Sequence, residues 1–201
     1  MNTVLEKPEE KVVSGFITLR LDRTLDDDTL LALSAANRDL QLERNAKGEL
    51  IVMSPAGGKS SRRNAEIVYQ LKAWAKKDQT GTVFDSSGGF SLPNGAVRAP
   101  DACWVSNEQL AKLTDEELEA FPPLSPEFVI ELRSASDPLK TLQEKMLEYV
   151  ANGTQLGWLI DAKTKNVYVY TLEGVTLLEA PDKVKGIGRL ESFELDLLEV
   201  W

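Results

Sequence analysis

Hydrophobic positions along this chain switch between the period of a helix and the period of a strand, and the switches predict an order of elements. Asp26-Asp27-Asp28 leads into Leu30, Leu31 and Leu33, which predicts a first helix with acids at its positive end. Polar and apolar residues alternate over 39–43, Lys47-Gly48 turns the chain, and 49–53 reads as a partner strand, so a hairpin is expected. After a loop at 54–58, residues 62–77 place Ile67, Val68, Leu71, Trp74 and Ala75 on one face of a long amphipathic helix.

The middle of the chain reads mostly as strands. Residues 82–85 form one, which Gly88-Gly89 breaks or bulges. Asn94-Gly95 is a hairpin turn between 90–92 and 97–99. Pro100-Asp101 follows and opens the apolar run 102–105. Thr114 with Glu117 resembles a capping box. Beyond the prolines at 122, 123 and 126, residues 128–132 are an apolar strand interrupted by one acid, Glu131. Pro138 suits a helix start, and residues 139–152 form a helix that ends at Gly153. A buried strand at 156–160, a hairpin of 167–171 with 175–179, and a last strand through Phe193, Leu195 and Leu197 complete the chain. Because helices and strands mix without strict alternation, the expected class is α/β with a mixed β-sheet flanked by helices. Residues 1–14 read as a flexible arm, and 15–201 as one domain with no repeat and no linker.

Composition narrows the chemistry. The 201 residues contain no histidine and one cysteine, Cys103. Imidazole bases, Ser/His and Cys/His pairs, His-ligated zinc, intrachain disulfides and CxxC redox chemistry are therefore excluded. Cys103 sits in an apolar run and reads as a small core residue. Carboxylates, lysine, hydroxyls and a hard metal remain. No stretch approaches the ~20 apolar residues of a membrane span, and the start of the chain carries no apolar signal run, so a cytoplasmic location is the default expectation. The net charge of −9 argues against a nucleic-acid partner. Locally, however, Lys59, Arg62, Arg63, Lys72, Lys76 and Lys77 face only one acid, Glu66. Such a run is ordinarily a solvated helix face.

Two acids stand in core-like surroundings. Glu131 interrupts an apolar strand, and burying an unpaired carboxylate is very costly. Asp101 opens another such run. Each has an ordinary reading, an edge-strand position or a Pro-Asp turn. Together they suggest neighbouring strands with convergent carboxylates. At ~4 Å and an effective dielectric of about 20, the two charges repel by roughly 4 kcal/mol, which a divalent cation relieves. Oxygen donors suit Mg²⁺ or Mn²⁺. Lys145 lies at the edge of the apolar stripe of the 139–152 helix, beside Tyr149, where it either snorkels or reaches the metal site. Gln143 lies at the opposite edge.

Pro100-Asp101 followed by an acid in an apolar strand resembles the PD-(D/E)XK nuclease superfamily. A longer series is similar to one bacterial family within it, the Uma-type restriction endonucleases. It runs through Phe84-Asp85-Ser86-Ser87-Gly88-Gly89-Phe90, Leu92-Pro93-Asn94-Gly95 and Pro100-Asp101-Ala102. It continues in Pro126-Glu127-Phe128-Val129-Ile130-Glu131 and Ser134, then Leu142-Gln143-Glu144-Lys145-Met146 and Tyr149. It ends in Asn152-Gly153 and Gly157-Trp158-Leu159-Ile160-Asp161, so the likeness covers most of the chain from about residue 25.

The resemblance implies a restriction-endonuclease-like core with a Mg²⁺-dependent phosphodiesterase site acting on DNA. Asp101 and Glu131 would be metal ligands and Lys145 the catalytic lysine. The superfamily's lysine normally stands two residues after the glutamate, where this chain has Arg133. Arginine can bind phosphate but cannot serve as a base. Members often add a polar group from the first core helix. Helical periodicity favours Asn64 over Glu66 for that place. Arg62, Arg63, Lys72 and Lys76 would contact the phosphate backbone, and a symmetric homodimer would suit two cuts on a duplex. The alternative is a catalytically inactive nucleic-acid-binding or protein-interaction module on the same fold.

Overall fold

The computed structural model describes residues 15–201, so the amino-terminal arm expected at 1–14 lies outside the described residues. The elements follow in the order β1 (Phe16–Leu19), α1 (Asp27–Ala36), β2 (Gln41–Arg44), β3 (Leu50–Met53), α2 (Gly58–Asp78), β4 (Gly81–Asp85), β5 (Phe90–Ser91) and β6 (Val97–Arg98). They continue with β7 (Ala102–Ser106), α3 (Asn107–Leu110), α4 (Asp115–Glu119), β8 (Phe128–Leu132), α5 (Leu139–Ala151), β9 (Leu156–Asp161), β10 (Asn166–Thr171) and β11 (Gly174–Glu179). β12 (Lys183–Lys185), a single 3₁₀ turn (Gly188–Leu190) and β13 (Glu194–Asp196) end the chain.

A six-stranded sheet, ordered β11-β10-β9-β8-β7-β4, forms the centre. Its one parallel pair is β8 with β9, which α5 joins as a crossover. A five-stranded antiparallel sheet, ordered β1-β3-β2-β6-β5, carries the expected hairpin. β12 and β13 form a third, two-stranded sheet.

Residue alternation in β8 sorts the core into two layers. Phe128, Ile130 and Leu132 face α2 with Ile67, Leu71, Trp104 and Trp158. Val129 faces α5 with Cys103, Met146, Tyr149 and Leu159. Glu131 has the parity of Val129 and therefore points to the α5 layer. Gly157 on β9 lets α5 sit close, since a Cβ there would lie 2.4 Å from Met146 Cε.

Local chemistry accounts for most element boundaries. The Asp26 side chain accepts the Thr29 N–H and caps α1. Thr114 and Glu117 form the expected capping box at α4. Gly48 turns the β2–β3 hairpin with φ +78°. Three outcomes differ from expectation. α2 begins at Gly58, four residues before the first residue expected, because the polar turn 58–61 carries no apolar periodicity. β1 is a strand by virtue of its antiparallel pairing with β3. β12, α3 and the 3₁₀ turn are short elements with no pattern long enough to read. No described helix is long and apolar enough to cross a membrane.

Candidate active site

β7 and β8 run antiparallel with Ala102 opposite Ile130. Extending that register by one residue sets Asp101 opposite Glu131, so both carboxylates leave the same face. The Leu132 N–H donates to Asp101 Oδ2 at 2.7 Å and fixes the aspartate against β8. Above this face lies α5. Lys145 Nζ stands 2.8 Å from Glu131 Oε1, and the Tyr149 hydroxyl donates to the same oxygen at 3.1 Å. Among the described residues, hydrogen bonds fall on Oδ2 of Asp101 and Oε1 of Glu131, and the second oxygen of each makes none.

A third carboxylate comes from the other sheet. Glu43 on β2 is 2% exposed. Its Oε1 is 2.8 Å from Lys145 Nζ and accepts the Ala99 N–H at 3.0 Å. Its Oε2 pairs with Arg98 Nη1 at 2.9 Å. Arg98 Nε donates to Glu148 Oε2 at 2.6 Å, which returns the network to α5. The strap Arg98-Ala99-Pro100-Asp101 thus links the two sheets and carries Asp101 at its end.

Electrostatics follow from burial. Desolvation raises Asp101 to about 6, with the Leu132 N–H and Lys145 opposing it. Desolvation raises Glu131 to about 8; Lys145 opposes the rise, while Asp101 and Glu43 add to it. Burial also pushes Glu43 upward, but Lys145 and Arg98 outweigh it and hold this carboxyl below the ordinary range. Burial works against the Lys145 ammonium, but Glu131 and Glu43 keep it protonated. Four carboxylates, Glu43, Asp101, Glu131 and Glu148, face two cations, Arg98 and Lys145. When all are ionised the cluster is two negative charges in excess, the charge of one divalent ion.

The donor set fits such an ion. Asp101, one residue before β7, and Glu131 on the adjacent β8 offer hard oxygens, each with one oxygen uncommitted. Among the described residues no three His, Cys, Asp or Glu side chains converge closely enough to ligate one ion together. An ion here would therefore complete its shell from backbone carbonyls and water.

Asp101, Glu131, Lys145 and Tyr149 are thus brought together. Other residues singled out from sequence lie elsewhere. Arg133 pairs with Asp161 at 2.7 Å and donates to the Asp137 carbonyl, so its guanidinium is committed to the ends of β9 and α5. Asn64 and Glu66 belong to α2, which packs on the face opposite Glu131. Asn64 Oδ1 is buried there without a hydrogen-bond partner, and Glu66 accepts from Gln70. Gln143 is half-buried on α5 and makes no hydrogen bond to the three site carboxylates. Arg62 and Arg63 bind the carbonyls of Glu199 and Val200. Lys72 and Lys76 are exposed on α2.

Sequence reasoning missed Glu43, Arg98 and Glu148. Glu43, between Leu42 and Arg44, reads as an outward position of a hairpin. The one available signal was Arg98 inside the apolar stretch 96–100, because a buried guanidinium requires carboxylate partners.

Fold and site together define a restriction-endonuclease-like α/β domain with a carboxylate–lysine cluster on its central sheet. The Uma2 family model, described as "Putative restriction endonuclease", matches residues 27–197, and the chain belongs to this family. A crystal structure of a putative nuclease of the DUF820 group from Anabaena variabilis ATCC 29413 is similar in fold. Its TM-score is 0.67 at 21% identity, and the match covers 79% of this chain and 88% of that one. No curated protein matches the chain.

Proposed function

We propose that this protein is a divalent-metal-dependent endonuclease that hydrolyses DNA phosphodiester bonds. The observation that carries the reading is the cross-strand pair Asp101 and Glu131 with the Lys145 ammonium held at 2.8 Å from Glu131. Asp101 and Glu131 would hold a divalent metal, Mg²⁺ or Mn²⁺, whose chemistry there would be to lower the pKa of a water and polarise the phosphate. Lys145, whose carboxylate neighbours favour its protonated form, orients water or neutralises phosphate charge. Tyr149 fixes the rotamer of Glu131 through its hydroxyl. The exposed Lys72 and Lys76 supply phosphate contacts away from the cut, and cleavage of both strands is the work of a symmetric homodimer.

The test is a titration of the purified protein with Mn²⁺ and Mg²⁺ by calorimetry, paired with cleavage of plasmid DNA and of RNA. Wild type is expected to bind metal and nick DNA, and Asp101→Ala to do neither. A wild type as inert as Asp101→Ala on varied DNA and RNA would overturn the reading. Metal-independent DNA binding by that inert protein would identify a binding module instead.

A further inference from the structure

We infer that Glu43 is a positioning residue, which holds the Lys145 ammonium in place beside Glu131 and acts only through that lysine. This inference rests on the nuclease reading above. Glu43 comes from the hairpin sheet, outside the central sheet that carries Asp101 and Glu131. At 2% exposure it is a costly residue to bury, and an apolar side chain would fill the same space without desolvating a charge. The surroundings orient it before it meets the lysine. Arg98 takes Oε2 and the Ala99 N–H takes Oε1, which leaves Oε1 directed at Nζ. Arg98 is itself gripped by Glu148, Glu148 by the Asn94 amide, and the Asn94 N–H by Asn152 Oδ1. Glu148 and Asn152 lie one and two turns along from Lys145, so the network closes on the C-terminal half of α5, beyond the lysine at its midpoint.

Lysine has a flexible four-carbon stem, and a single acceptor leaves its ammonium mobile. Here Nζ has acceptors from both sheets: Glu131 Oε1 at 2.8 Å, Glu43 Oε1 at 2.8 Å and the Ala99 carbonyl at 3.3 Å. If Glu131 holds a cation, its pull on the ammonium would weaken, and Glu43 would then keep Nζ in place. Ala99 contacts both partners and lies two residues before Asp101, so the same strap sets the lysine and the aspartate.

The experiment is a double-variant cycle in the full chain, with kcat for plasmid cleavage and Mn²⁺ binding by calorimetry as the two readouts. Glu43→Gln is expected to lower kcat by about 10- to 100-fold, the effect of a misplaced catalytic group, while Mn²⁺ still binds. Glu43→Asp keeps the charge but falls short of Nζ, and is expected to behave like Glu43→Gln. In a Lys145→Met background, Glu43→Gln is expected to cause no further loss. Losses that multiply in the double variant overturn the inference, as does a wild-type rate in Glu43→Gln. Full activity in Glu43→Asp would show that charge alone matters, and loss of Mn²⁺ binding would make Glu43 a ligand; either result also overturns it. If Glu43→Gln does not fold, Glu43→Asp carries the same cycle. A wild type that neither binds Mn²⁺ nor cuts DNA sinks the nuclease reading and this inference with it, whereas an active wild type with multiplying losses sinks this inference alone.

Discussion

Replacing Glu131 with glutamine is expected to stabilise the metal-free protein at alkaline pH while abolishing the proposed metal site. In the folded chain burial raises this carboxyl from the ordinary 4.5 to about 8, against the opposing pull of Lys145. The folded state therefore binds the proton more tightly than the unfolded state. That contribution is complete below about pH 4.5 and is lost as pH climbs through 8. At about 1.4 kcal/mol for each tenfold change in proton affinity, the full loss approaches about 5 kcal/mol. This figure is already net of the Lys145 attraction. Glutamine removes the ionisable group yet keeps an oxygen to accept from Lys145 and Tyr149. The expected gain is about 3–5 kcal/mol at pH 8, roughly 10 °C in Tm for a chain of this size, shrinking to under about 1 kcal/mol at pH 4. Thermal melts from pH 4 to 9 in the presence of a chelator measure it. A variant no more stable than wild type at pH 8, or equally stabilised at pH 4, would refute the reasoning. Added Mn²⁺ should raise the Tm of wild type and leave the variant unmoved.

Other consequences can be checked separately. Arg133→Ala removes the charge partner of the buried Asp161 carboxylate, which keeps the Lys163 N–H, and is expected to cost about 2–4 kcal/mol in urea unfolding, with Mn²⁺ binding retained; loss of metal binding in a folded variant would return Arg133 to the candidate site. Gly81→Ala drives a Cβ to 2.4 Å from the Val105 carbonyl oxygen and against the Trp104 ring, and is expected to lower stability by about 1–3 kcal/mol. Melting curves would show this directly, and an unchanged Tm would contradict the packing described. Lys72→Ala/Lys76→Ala is expected to flatten the log–log salt dependence of DNA binding by up to about 2 in slope. An unchanged slope removes α2 from the interface.

Much of the candidate site was readable before any coordinates. Strong local signals placed the acids at strands: Pro100-Asp101 just ahead of an apolar run, and one glutamate inside Phe128–Leu132. The period of α5 put Lys145 and Tyr149 one turn apart at the edge of the buried stripe, and both reach Glu131. The absence of histidine limited the chemistry to oxygen ligands and lysine. Asn64 shows where such reasoning stops. Periodicity turned it toward the buried face of α2, and it is indeed half-buried. Nothing in a single helix, however, says which side of the sheet that helix covers, and α2 covers the side away from Glu131.

What sequence alone determined, then, was the longer elements, the two carboxylates at β7 and β8 and the lysine on α5, because each depends on residues close together in the chain. Tertiary structure alone decided how those elements meet. It set the register that puts Asp101 opposite Glu131, turned Arg133 away to Asp161, and brought Glu43 from a hairpin 102 positions before Lys145 onto the same ammonium as Glu131. The physical reason is that the ion pairs of the site join separate sheets. A buried charge is tolerated only where a distant partner meets it, and no local pattern records that partner. The Asp101–Glu131 pair could be read from the sequence, but the third carboxylate that completes the cluster could not.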